Sequence, residues 1–458
     1  MIQRTLKQIE QMVGGTGLLE KWKDVVVKGV AIDTRTIEHG NLYTPIQGER
    51  FDGHSFARKA MENGAVATLW KKDVPNPPSE LPVIFVEDTL EALQTLAKSY
   101  RDQLQAKIVG VTGSNGKTST KDIVMSLLET TFKVQKTEGN FNNHIGLPLT
   151  ILKVEEDTEI VVLEMGMSGL GEIELLSKIA RPNAAIITNI GEAHLMDLGS
   201  RDAIADAKLE IVAGLQADGL FVYNGDEPLL TTKVPSMNLA AKTVTFGDGK
   251  INDYYPTSVT LEATGTHFEM NYQENTVFYL PVLGKHNVYN ALASMAVAKF
   301  FGVTWDNMKQ GLLQLKMTGM RMEIVKTGEG LTLINDAYNA SPTAMEAALH
   351  LMNGLDGFRK KVVILGDMLE LGDEEEKFHY EIGKAIDPNH ISYVFTYGTL
   401  GKHIADGAKG QFSSECVKAY QNKEELVKDL KKIVDVKDVV LVKASRGMKL
   451  EEVITMMQ

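Results

Sequence analysis

Lys107-Ile108-Val109-Gly110-Val111-Thr112-Gly113-Ser114-Asn115-Gly116-Lys117-Thr118-Ser119 is the stretch that decides the fold. Ile108 to Val111 is apolar apart from its glycine, as suits a strand buried on both faces of a parallel sheet. Gly116 to Phe132 then carries Ile123, Val124, Leu127 and Leu128 at helical spacing, so a helix is expected to follow the turn. Strand, glycine-rich turn and helix in that order make a phosphate loop. Amides at the helix start point at an anion, and glycines let the backbone approach it closely. On this reading Thr112, Gly113, Ser114, Asn115, Gly116, Lys117, Thr118 and Ser119 bind ATP. Lys117 reaches the terminal phosphates and Thr118 holds Mg2+. The usual spacing would need glycine at position 111, where this chain has Val111. The bland alternative is a glycine-rich turn before an ordinary helix.

The same texture extends outward. Ile160 to Glu164, Ala185 to Asn189 and Leu220 to Asn224 are short, almost wholly apolar runs with amphipathic segments between them, as parallel strands with crossover connections require. Residues 105–315 are therefore expected to form a central parallel-sheet domain. From 316 to 458 the pattern repeats, with strands at Leu331 to Asn335, Lys361 to Leu365, Tyr393 to Tyr397 and Val439 to Val442, and a second, Rossmann-like α/β domain is expected. Residues 1–104 mix short strand-like runs such as Val83-Ile84-Phe85-Val86 with Gly- and Pro-rich loops, and read as a mixed α/β domain leaving through the helical stretch Thr89 to Leu104. The fold class is α/β in three domains.

The totals exclude several functions. At 458 residues the chain exceeds one compact core. A net charge of −12 disfavours nucleic acid and anionic membrane surfaces, both of which need positive surface. The single cysteine, Cys416, rules out an internal disulfide and a thiolate metal cluster, and fits a reducing compartment. Met1 to Glu10 has no apolar signal core, and no apolar run approaches the roughly 20 residues that span a bilayer, so a cytoplasmic chain without membrane insertion is expected.

Several side chains carry two readings. Glu164 ends a buried strand at the sheet edge where ligands bind, and is either a Mg2+ ligand or a solvated carboxylate. His194, in Thr188-Asn189-Ile190-Gly191-Glu192-Ala193-His194, and Lys208, on the stretch Arg201 to Leu215, would by themselves be structural or solvent-facing. His286, Asn287 and Asn290 stand where a loop enters the helix Tyr289 to Phe300, with Asn287 a candidate cap. Arg321 either pairs with Glu323 or reaches across a domain junction. Ser341-Pro342 reads as an N-cap followed by proline at the first helical position. Asp33-Thr34-Arg35 is compatible with a simple turn.

Taken together these positions resemble the Mur ligase family of peptidoglycan synthesis over nearly the whole chain. The match comprises the loop Thr112 to Ser119, Glu164-Met165-Gly166, Asn189 to His194, Ala207-Lys208-Leu209-Glu210, Gly284-Lys285-His286-Asn287-Val288-Tyr289-Asn290, Arg321, and Asn335-Asp336-Ala337-Tyr338-Asn339-Ala340-Ser341-Pro342. Gly48-Glu49-Arg50-Phe51-Asp52-Gly53-His54, Asn140-Phe141-Asn142-Asn143-His144-Ile145-Gly146 and Leu365-Gly366-Asp367-Met368-Leu369-Glu370-Leu371-Gly372 look like the member that adds D-alanyl-D-alanine to a UDP-MurNAc-tripeptide. No Asp-Asn-Pro-Arg segment of the diaminopimelate-adding relative is present. Ala444 in Lys443-Ala444-Ser445-Arg446 departs from the more usual glycine.

The resemblance implies an ATP- and Mg2+-dependent, monomeric ligase working through an acyl phosphate. A sister ligase or a folylpolyglutamate-synthase-like enzyme with another acceptor is the alternative. It implies carbamylation of Lys208 by CO2, and metal ligation by Thr118, Glu164, His194 and that carbamate. Lys117, Lys208, His194 and Arg321 would be catalytic. Asn287 and Asn290 would lie beside adenine, and Arg321 and Asp336 would meet the nucleotide from the third domain. Asp33, Thr34, Arg35, Asn140, Asn142, Asn143, Tyr338, Asn339 and Ser341 would bind substrate, with residues 1–104 holding the UDP-sugar.

Overall fold

The computed structural model describes residues 1–48 and 51–458. Glu49 and Arg50, within the Gly48 to His54 segment quoted above, lie outside the described residues.

Six parallel strands form the central sheet, in the spatial order Lys242–Phe246, Leu220–Asn224, Ala184–Ile187, Lys107–Thr112, Ile160–Glu164 and Val134–Lys136. Lys107–Thr112 is interior, which is why its side chains are apolar on both faces. The chain leaves it toward one edge and later returns to its other side at Ala184–Ile187. This order reversal opens a crevice at the carboxyl ends of the strands, where the phosphate loop lies. The loop helix runs Lys117–Leu128, shorter than the pattern suggested.

At the amino end, Val30–Ala31, Leu42–Tyr43, Ala67–Lys71 and Val83–Val86 make a small parallel sheet, and Gln3–Thr5 pairs antiparallel with Val26–Lys28. The helix Thr89–Gln103 starts at Asp88, whose carboxylate accepts the Leu90 and Glu91 amides at 2.8 and 2.9 Å. Tyr100 donates to the Val154 carbonyl at 2.8 Å and Arg101 to that of Ala180 at 2.9 Å, tying this helix to the central sheet. One apolar core therefore runs from Leu6 and Leu93 through Leu147 to Leu163 and Ile187.

The carboxyl-terminal sheet has the order Glu323–Lys326, Thr332–Asp336, Val439–Lys443, Lys361–Gly366, Tyr393–Tyr397 and Val417–Tyr420, with only the first strand antiparallel. Ser341 accepts the Ala344 amide and Pro342 opens the next helix, as the sequence indicated.

Three expectations need correction. Strands alternating with helices were expected up to residue 315, but Pro256–Glu262, Gly265–Met270 and Gln273–Leu280 form an antiparallel three-stranded sheet. Two-residue connections are too short for a crossover, and alternation leaves Phe268, Met270, Phe278 and Leu280 buried on one face. The helix expected from Tyr289 already starts at Lys285, so Asn287 sits inside it and caps nothing; Gly284 is the cap position, at φ +102°. The stretch Arg201 to Leu215 splits into a helix Arg201–Leu209 and a 3-10 turn Glu210–Gly214. Among the described residues no helix is long and apolar enough to cross a membrane.

Candidate active site

The phosphate loop is shaped by two glycines whose positive φ and close neighbours disfavour any side chain. A Cβ on Gly113 (φ +147°) would stand 1.8 Å from Thr188 Oγ1, and one on Gly116 (φ +80°) 2.9 Å from Asn290 Oδ1. Thr188 Oγ1 donates to the Asn115 carbonyl at 2.5 Å, and the Asn115 amide donates to Asn189 Oδ1 at 2.9 Å. The loop is thus held open from behind by residues ending the neighbouring strand. Lys117 curls over it, donating to the carbonyls of Gly113 (2.7 Å) and Ser114 (3.3 Å). Burial lowers its pKa, as does the Arg321 cation, while Glu164 opposes them. Crowded cations of this kind suit a polyanionic ligand.

Glu164 is 3% exposed, so the solvated reading fails. Its Oε2 accepts from the Thr118 hydroxyl at 2.9 Å and its Oε1 from Asn142 Nδ2 at 2.9 Å. A carboxylate and a hydroxyl beside the phosphate loop are the hard oxygen donors that Mg2+ selects. His194 lines the same cleft of about 440 Å³, in the left-handed conformation (φ +65°). Its pKa is lowered by burial first, with Glu370 opposing and Lys117 and Lys208 adding to the fall. Lys208, 2% exposed, is not a surface lysine. Burial, then the Lys117 cation, hold its amine well below the ordinary lysine range, and a neutral amine is what carbamylation requires.

The carboxyl-terminal lobe closes the cleft from the other side. Asn115 Nδ2 donates to Ser341 Oγ at 3.2 Å, and Thr343 Oγ1 to Glu192 Oε2 at 2.7 Å. The Arg321 guanidinium lies 4.2 Å from the centre of the Tyr338 ring, and its buried Nε has no hydrogen-bond partner. It does not pair with Glu323, which instead accepts the Met320 amide. Beside it a cavity of about 140 Å³ is lined by Gly116, Ser119, Asn287, Asn290, Arg321 and Asp336 among others. His286 is on its wall, with a pKa pushed down to about 4 chiefly by burial.

The structure therefore gathers Ser114 to Thr118, Glu164, His194, Arg321, Asp336, Asn140, Asn142, Asn143, Tyr338, Asn339 and Ser341 around two connected hollows. Thr112 lies behind the loop, fully buried. Asp33, Thr34 and Arg35 line neither hollow. They form the turn that was the simpler reading, with the Asp33 carboxylate accepting the Arg35 amide at 2.9 Å and pairing with its guanidinium at 2.6 Å. Sequence reasoning did not single out Lys443, 3% exposed, whose Nζ lies 2.5 Å from Asp336 Oδ2 and donates to the Asn339 carbonyl at 3.1 Å. A lysine ending the apolar run Val439 to Val442 at a parallel sheet's carboxyl edge was the available signal. Glu370 was likewise quoted only as part of a motif.

Comparison with known proteins gives the family. Three family models match: Mur ligase family, catalytic domain, at 26–101; Mur ligase middle domain at 111–298; and Mur ligase, glutamate ligase domain, at 320–446. The chain belongs to the Mur ligase family. It is 53% identical over 99% of its length, and 98% of the relative's, to the UDP-N-acetylmuramoyl-tripeptide–D-alanyl-D-alanine ligase of Bacillus subtilis. Its fold superposes on MurF of Acinetobacter baumannii with a TM-score of 0.90 at 28% identity, covering 100% of this chain and 99% of that one. MurF of Thermotoga maritima, solved in complex with ADP, gives 0.83 at 31% identity, covering 94% and 97%.

Proposed function

We propose that this protein is the ATP-dependent ligase that joins D-alanyl-D-alanine to the C-terminal carboxylate of UDP-N-acetylmuramoyl-tripeptide, and that it acts in the cytoplasm. The observation that carries the reading is the two-lobed cleft, in which Arg321, on the connection between the lobes, lines both hollows beside the phosphate loop with its Nε unpartnered. A nucleotide switch has no need of such convergence. A ligase must hold ATP and a carboxylate in line and then keep water from the activated acyl group.

The tripeptide carboxylate attacks the γ-phosphate of ATP, giving an acyl phosphate and ADP. The D-alanyl-D-alanine amine then attacks the acyl carbon, forming the amide and releasing phosphate. Lys117 leaves the loop carbonyls to meet the β- and γ-phosphates, and Arg321 faces the transferred group. Asn287 and Asn290 lie beside adenine, with Asp336, oriented by Lys443, on the nucleotide side of the cleft. Asn140, Asn142, Asn143, Tyr338, Asn339 and Ser341 receive the peptide and the acceptor, and Asp33 to Arg35 the UDP-sugar. Thr118, Glu164, His194 and carbamylated Lys208 would hold Mg2+, which neutralises charge on the phosphates when bound.

Mass spectrometry of the product formed from ATP, D-alanyl-D-alanine and UDP-MurNAc-tripeptide tests this directly. The expected product is the pentapeptide, with one phosphate released per amide. Phosphate release without acceptor, or preference for a single amino acid such as glutamate, would overturn it.

A further inference from the structure

Arg321, proposed above to face the transferred phosphate, lies on the connection between the two lobes, residues 316–322. Met320 (φ +61°) and Met322 (φ +50°) flank it in the left-handed region, which non-glycine residues rarely adopt. Such conformations persist only where the surroundings hold them. On the carboxyl-terminal side the holds are Glu323, accepting the Met320 amide at 2.9 Å, and Asp336, accepting that of Met322 at 3.2 Å. On the central side the hold is Asp122. This residue lies on the phosphate-loop helix, one turn beyond Thr118, and its Oδ2 accepts the Thr318 amide at 2.8 Å.

The Asp122 carboxylate is fully buried and takes part in an alternating line of charge. Lys136 Nζ is 2.7 Å from its Oδ1 and Lys121 Nζ 3.6 Å. Lys121, 1% exposed, lies 4.0 Å from Glu164 Oε2, which also accepts from Thr118. A buried carboxylate is tolerated only when cations and donors surround it, and here one donor is the linker backbone itself. The phosphate-loop backbone at Asn115 is bonded to Thr188 and Asn189 and to none of these groups.

We infer that Asp122 is a positioning residue: by holding the Thr318 amide on the far side of the phosphate-loop helix, it fixes the central end of the linker and thereby the place of Arg321. The inference rests on the reading that Arg321 meets the transferred phosphate. Asp122→Ala should lower kcat roughly 10- to 100-fold, the scale of a misplaced catalytic contact, while KM for ATP and the ADP dissociation constant stay within about twofold. Asp122→Asn, which keeps an oxygen able to accept the amide, should recover most of the loss. Trypsin should cut the linker after Lys316 or Arg321 faster in Asp122→Ala than in the parent chain, whatever acceptor the enzyme uses. A parent chain inactive with D-alanyl-D-alanine would sink the ligase reading but leave this proteolysis result to stand. Wild-type kcat in Asp122→Ala, equal loss in both variants, or a parallel loss of ADP affinity would overturn the proposal. If Asp122→Ala does not fold, an unimpaired Asp122→Asn with unchanged proteolysis supports the amide contact, and an impaired one overturns it.

Discussion

The carboxylate of Glu370, on the carboxyl-terminal lobe, stands 3.1 Å from Nδ1 of His194 on the central lobe. Both residues hold left-handed backbone conformations, at φ +67° and +65°, and the Met196 amide donates to the Glu370 carbonyl at 3.3 Å. Nδ1 is within ion-pairing distance but off the line of a hydrogen bond. The contact can therefore tighten as the lobes settle on substrate.

Glu370 lies against the Nδ1 side of the His194 ring. With His194 holding Mg2+ as proposed, Glu370→Ala should raise the Mg2+ concentration for half-maximal turnover by about 10-fold, the scale of losing a carboxylate behind a ligating histidine. A Mg2+ titration at saturating ATP measures this. Unchanged Mg2+ dependence would show that Glu370 only braces the lobes.

Arg321→Lys should be nearly as damaging as Arg321→Ala, with kcat down by about 10³-fold in both. A lysine keeps the charge but neither lies flat on Tyr338 nor presents a fork to phosphate. Steady-state phosphate release, alongside ADP binding by calorimetry, separates loss of chemistry from loss of nucleotide.

Lys208→Met should abolish turnover yet raise Tm at pH 7 by about 2–4 °C. The amine is held below its ordinary pKa of 10.5, so folding must shed a proton between the lowered value and 10.5. Stability contributed at this site therefore rises with pH across that window. The advantage of methionine should shrink as pH approaches 10.5, which melting curves from pH 7 to 10 will reveal.

His286 has its pKa pushed down from 6.5 to about 4. The unfolded chain takes up its proton first, so stability falls as pH drops from 6.5 to about 4, by on the order of 3 kcal/mol. His286→Asn should flatten that part of the acid limb in urea titrations. An unaltered limb would mean that the ring is solvated.

The phosphate loop and the strands around it could be read from sequence because a buried parallel strand and a helix start leave local signatures. Lys208 could not: its burial comes from the helix Arg201–Leu209 packing among neighbouring helices such as Glu172–Ala180 and Pro228–Lys233, and only the family resemblance drew attention to it. Lys443 and Glu370 act through partners more than a hundred residues distant, Asp336 and His194, and no local pattern encodes such a meeting. The sheet at 256–280 was missed for another reason. Its alternating, half-exposed side chains sit between two parallel-sheet regions, whose βα rhythm masks a short period-two signal. Asn287 misled through a single turn of helix, its polar side chain bonding the Leu283 carbonyl at 2.8 Å instead of opening the helix.

The lack of room behind Gly113 has a kinetic consequence. With Thr188 pressed against that glycine and Asn189 bonded across the turn, the cradle for phosphate is complete before any ligand arrives. Little backbone ordering is left for the moment of encounter, so nucleotides and triphosphate mimics should enter at closely similar rates. Their affinities should then diverge through residence time, set by how firmly the opposite lobe clasps each one.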